Sequence, residues 1–141
     1  MRGALLTAMA AGLLAACSGG AVPVGESAEA REVGVLTIAP KALSTRIEAG
    51  EKIQLIDVRT PEEFAEGRLP GALNAPVETF DAASIPVEEE RETILYCRSG
   101  NRSARAAQML ADETGGTVRH LEGGIVAWEE AGREMFTSPE G

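Results

Sequence analysis

Among the 141 residues, the group best placed for covalent chemistry is Cys97, which is followed directly by Arg98-Ser99-Gly100-Asn101-Arg102-Ser103. The thiolate is the nucleophilic form of cysteine, and neighbouring cations or converging backbone N–H groups favour it over the thiol. A fall in pKa from about 8.5 to about 6.5 would raise the thiolate fraction at neutral pH from a few per cent to roughly three quarters. The competing interpretation is a small buried hydrophobe, the usual state of an unpaired cysteine. The setting of Cys97 has to decide between them.

That setting is a strand, a loop and a helix. Thr93 to Cys97 is an apolar run typical of a buried strand, and Ser103 to Glu113 is helix-forming, with Ala104, Ala107 and Leu110 or Ala111 on one face and Gly115-Gly116 as a stop. Cys97 therefore falls at the carboxyl end of a strand, in a loop feeding a helix. In open α/β sheets ligands bind in that crevice, and backbone N–H groups turned toward one point there favour an anion.

The rest of the chain repeats the alternation. Val35 to Ile38 predicts a strand, the pair Leu43 and Ile47 a helix ending near Gly50, and Ile53 to Val58 a strand covered on both faces. Thr60-Pro61-Glu62-Glu63 has a capping residue, a proline at the first helical position and Glu at the third, predicting a short helix that stops at Gly67. Leu69-Pro70-Gly71-Ala72 is a turn, Ala72 to Pro76 a short extended piece, and Val77 to Ile85 an irregular or helical connection. Val118 to Leu121 predicts a strand, and Ile125 to Ala131 a final helix between Gly123-Gly124 and Gly132. The class is α/β, a central parallel sheet with helices on both faces.

Composition narrows the function. Thirteen Lys+Arg against 22 Asp+Glu give a net charge of -9, which argues against nucleic acid as a partner because binding it requires a surplus of cations. Two cysteines and a single histidine do not supply a usual metal cluster, so neither metal nor cofactor is expected.

The amino terminus reads as an address. Arg2 precedes an apolar run from Ala4 to Ala16 that is too short to span a bilayer comfortably. Leu14-Ala15-Ala16-Cys17 resembles a bacterial lipoprotein box, which implies cleavage before Cys17 and lipid on its thiol; an ordinary cleaved signal is the alternative. The expected division is a signal over residues 1–16, a flexible tether over 17–33 and one domain over 34–137, exported and held to a membrane facing the periplasm or the exterior. Cys17 is also the only intrachain disulfide partner for Cys97, so a lipidated Cys17 would leave Cys97 free.

Three separated segments resemble the rhodanese-like sulfurtransferase family. Asp57-Val58-Arg59-Thr60-Pro61-Glu62-Glu63-Phe64, continuing through Gly67 to Pro76, is similar to its first signature; Cys97 to Ser103 is similar to its active-site loop; and Leu121-Glu122-Gly123-Gly124 with Trp128 and Gly132 is similar to its last signature. Arg68 departs from the histidine common in the first signature. The resemblance implies that Cys97 takes a sulfane sulfur from a small anionic donor such as thiosulfate and hands it to a thiol or cyanide acceptor. In that scheme the backbone of Arg98, Ser99, Gly100, Asn101 and Arg102 cradles the persulfide, and the Arg98 and Arg102 side chains attract the donor. Arg59 either assists them or makes an ion pair with a carboxylate. Related phosphatases and arsenate reductases have a longer loop than the four residues between Cys97 and Arg102, so the loop length favours sulfur.

The remaining candidates take structural roles. His120 lies inside a strand pattern, Trp128 fits a core-facing helix, Glu88-Glu89-Glu90 a solvated loop, and Asp57 is placed to order the reactive loop by hydrogen bonding. The alternative to an enzyme is a sulfur-carrier or docking module of the same fold without turnover. A monomer is expected.

Overall fold

A computed structural model describes residues 33–137, so the signal, Cys17 and most of the tether lie outside the described residues. The elements run β1 (Gly34–Ile38), α1 (Pro40–Glu48), β2 (Ile53–Asp57), α2 (Pro61–Glu66), β3 (Leu73–Asn74), β4 (Glu92–Tyr96), α3 (Asn101–Thr114), β5 (Thr117–Leu121) and α4 (Gly124–Glu130). The connection from Val77 to Ile85 contains two short 3-10 turns, Val77–Thr79 and Ala82–Ser84.

All five strands are parallel, in the order β1-β5-β4-β2-β3. Such a sheet is covered on both faces, and each face has its own core. On one side α3 and the 3-10 turns pack Ala106, Ala107, Leu110, Val77 and Phe80 against Ile56, Leu95 and Val118. On the other, Leu43, Ile125, Trp128 and Leu69 pack against Leu55, Ile94, Tyr96 and Leu121. The predicted α/β architecture is therefore the observed one.

Two local expectations shift. The helix after Cys97 begins at Asn101, two residues before Ser103, because Gly100 takes the cap position with φ 104°, a conformation open to glycine. Its buried face becomes Ser103, Ala106, Ala107, Leu110 and Ala111, leaving Ala104 only half-buried. The extended piece expected over Ala72 to Pro76 shrinks to Leu73–Asn74, since only Ile56 and Asp57 remain beside it as partners.

The start of α4 sets the shape of the chain after β4. Its N–H groups would be unpaired as in any helix first turn, and here Ile125 N donates to the Cys97 carbonyl at 2.9 Å and Val126 N to the Arg98 carbonyl at 3.1 Å. This close approach requires a glycine. A Cβ on Gly124 would lie 2.5 Å from the carbonyl carbon and oxygen of Arg98 and nearer still to the Cys97 carbonyl oxygen, at a φ of +60°. Backbone strain and overpacking together predict that Gly124→Ala lowers unfolding free energy by about 3 kcal/mol or more. A urea midpoint indistinguishable from the parent's would contradict that packing.

Candidate functional site

β4 delivers Cys97 to the carboxyl edge of the sheet, one residue past the strand's end at Tyr96. Because α4 holds the Cys97 and Arg98 carbonyls, the Arg98 and Ser99 N–H groups of the same peptides are turned away from α4. Gly100 N donates to Cys97 Sγ at 3.0 Å. Burial pushes the Cys97 thiol pKa up, but hydrogen bonds from the Ser103 hydroxyl and from the backbone N–H groups of Ser103, Gly100 and Ser99 outweigh it and leave it lowered. The preference for thiolate thus comes mainly from fixed dipoles.

The cations behave differently from one another. Arg98 is exposed, and among the described residues its side chain has no ion-pair partner. Arg102, in the first turn of α3, is committed to Glu63: Nη1 and Nη2 donate to Oε2 and Oε1 at 2.8 and 2.9 Å. Glu63 also accepts from Thr60 N at 3.0 Å while Thr60 Oγ1 accepts from Glu63 N at 3.2 Å, so the predicted capping box is formed and is bound to α3. Arg59 is buried, its Nη2 donating to Asp57 Oδ2 and to the Gly67 carbonyl, both at 2.6 Å. Asp57 therefore orders Arg59 and the end of α2, and no hydrogen bond joins its carboxylate to the 97–102 loop among the described residues. Asn101 is the exposed first residue of α3.

Behind the loop, Ser103 is fully buried and its Oγ donates to the Gly100 carbonyl at 3.0 Å. His120 Nδ1 lies 3.1 Å from the same oxygen. Burial lowers the His120 pKa, partly offset by Glu122. Trp128 is buried as expected, donating to the Glu134 carbonyl at 3.1 Å. Arg68 lies over the Phe64 ring at 4.7 Å. No cluster of metal-ligating residues occurs among the described residues.

Several groups that shape the site are not marked as such by the sequence pattern. Glu63 and Arg102 are 39 positions apart, and Ser103 and His120 are 17 apart. The capping box gives Glu63 a cap role only, and the Gly123-Gly124 doublet marks a helix boundary without revealing what approaches it.

The family model described as the Rhodanese-like domain matches residues 39–131, and the chain belongs to that family. A protein named Sulfurtransferase from Allochromatium vinosum is 38% identical over 101 residues, covering 72% of this chain and 94% of its own. Putative sulfurtransferase YtwF of Bacillus subtilis is 39% identical over 92 residues, 65% of this chain and 88% of that protein. The solution structure of the rhodanese-like domain of the Anabaena protein Alr3790 has a TM-score of 0.64 at 27% identity, covering 74% of this chain and 85% of the other. Sulfur transfer is the chemistry supported at the level of the family.

Glu63 supplies a pH test of the loop's support. Its hydrogen bonds from Arg102 hold its pKa down at about 2, against burial, which acts the other way. A depressed carboxylate pKa contributes stability that is complete above the unfolded value near 4.5 and is lost as pH falls through about 2. With both side chains partly solvated, Glu63→Gln should cost about 1–2 kcal/mol at pH 7. The difference from the parent, read from urea midpoints, should shrink steadily from pH 4.5 to pH 2, and a constant difference over that interval would contradict the ion-pair role.

Proposed function

We propose that this protein is a sulfurtransferase of thiosulfate type with Cys97 as nucleophile. The observation that carries the reading is the 3.0 Å hydrogen bond from Gly100 N to Cys97 Sγ, in a loop whose first two carbonyls are held away by α4. The Cys97 thiolate attacks the outer sulfur of thiosulfate, forming an S–S bond while the S–S bond of the donor breaks and its electron pair leaves on sulfite. An acceptor thiolate or cyanide then attacks the outer sulfur of the persulfide and regenerates the Cys97 thiolate. Charge is conserved in both steps, and an ionised nucleophile needs no general base.

Arg98, exposed and without an ion-pair partner among the described residues, draws the dianionic donor to the loop and stabilises departing sulfite. The N–H groups of Ser99, Gly100 and Ser103 hold the charge that stays on sulfur. Arg102 orients the start of α3 through Glu63, and Asn101 lines the rim as the exposed first residue of that helix. Arg59 acts at a distance by fixing the end of α2.

The same reading includes export and a lipid on Cys17. β1 begins at the amino end of the parallel sheet and Cys97 lies at its carboxyl end, about 17 Å away for strands of five residues. A tether entering at Gly34 suits a monomer whose reactive loop points away from the membrane toward soluble donors and acceptors.

Intact mass of the full chain carrying Cys17→Ser, taken after thiosulfate and again after cyanide, tests the proposal. One sulfur atom should be gained and then lost as thiocyanate, and Cys97→Ser should gain none. Failure with thiosulfate and with persulfide donors alike would remove the enzymatic reading and favour the docking module.

A further inference from the structure

The buried His120 has no part in the steps above, yet it touches a side chain that holds the reactive loop. Ser103 Oγ has one proton and two lone pairs. It donates that proton to the Gly100 carbonyl at 3.0 Å, so the contact with His120 Nδ1 at 3.1 Å must have the imidazole as donor; otherwise two lone pairs would face each other in a buried site. Nδ1 therefore carries hydrogen. Nε2 has no hydrogen-bond partner among the described residues.

This arrangement fixes where the Ser103 proton can go. With one lone pair occupied by His120, Oγ keeps its hydrogen on the carbonyl of Gly100, the residue whose N–H donates to Cys97 Sγ at 3.0 Å. A bare Nδ1 would instead compete for the same hydrogen and draw it away from that carbonyl.

We propose that His120 is a positioning residue: its Nδ1–H donates to Ser103 Oγ and keeps the Ser103 hydroxyl on the Gly100 carbonyl, which fixes the residue whose N–H bonds the Cys97 anion. The inference rests on Cys97 being the nucleophile. Around the imidazole, α3 contributes Ser103, β4 and β1 contribute the uncharged register partners Leu95 and Thr37, and the charged group acting on it is Glu122, just past the end of β5. His120 thus works through Ser103 and requires no ion pair of its own.

The chain has one histidine, so its nitrogen signals need no sorting. In the full chain carrying Cys17→Ser, nitrogen-15 NMR at a pH where Cys97 is ionised should show Nδ1 protonated, and a bare Nδ1 with hydrogen on Nε2 would overturn the proposal. Iodoacetamide alkylation against pH reads ionisation of Cys97 whether or not it accepts sulfur, which separates this inference from the proposed activity. His120→Phe should raise the midpoint by about one pH unit, a roughly tenfold slower reaction below it. His120→Asn, whose amide can donate from nearly the same place, should restore most of the loss. Adding His120→Phe to Ser103→Ala should change nothing further. An unmoved midpoint in folded His120→Phe, or full additivity with Ser103→Ala, would refute the relay. If His120→Phe does not fold, the tautomer measured on the unchanged histidine decides.

Discussion

The constraint on which the rest of the site depends is the capture of two loop carbonyls by the first turn of α4. A peptide group presents N–H and C=O in opposite directions, so fixing the Cys97 and Arg98 oxygens against Ile125 N and Val126 N turns the Arg98 and Ser99 N–H groups to the other side, while Ser103 N–H lies in the first turn of α3. The same bonds satisfy helix donors that would otherwise be unpaired. Gly124 makes the approach possible, because any Cβ there would collide with the carbonyls it must bring close. One contact therefore sets the packing of α4, the shape of the loop and the electrostatics at sulfur.

Magnitudes then decide which charges matter. Loop sequence alone suggests that guanidinium groups hold the thiolate, yet Arg102 is bound in a bidentate pair with Glu63, and Arg59 is buried against Asp57 and the Gly67 carbonyl. The hydrogen bonds from Ser103, Gly100 and Ser99 are what overcome the burial of Cys97. Dipoles fixed in a folded backbone need no reorganisation when charge develops on sulfur, which is why they suit covalent transfer. Arg98 remains the exposed cation of the loop.

The order of elements was legible because it is written in short-range patterns. The apolar runs before Asp57 and Cys97 and the Thr60 to Glu63 cap are local signals, and the structure forms the corresponding strands and capping box. The early start of α3 was not, since Gly100 both closes the loop and opens the helix, and only its φ of 104° distinguishes the two roles. The partners of Glu63, Arg59 and His120 were illegible for a different reason: carboxylates are abundant in this chain and one imidazole suits many sites, so pairing is decided by which strands lie side by side. Membership of the rhodanese-like family fits the same division, since its signatures cover the backbone that builds the loop.

The central claim is that backbone N–H groups, in a loop whose first two carbonyls are held by α4, stabilise the charge on sulfur at Cys97. A crystal structure of the thiosulfate-treated protein tests it most directly. The account predicts an additional sulfur bonded to Cys97 Sγ inside the ring of Ser99, Gly100 and Ser103 N–H groups, with the Cys97 and Arg98 carbonyls still on α4 and Arg102 still on Glu63. A persulfide swung out of the loop, or one stabilised by an Arg102 that has left Glu63 while the N–H groups point elsewhere, would contradict it.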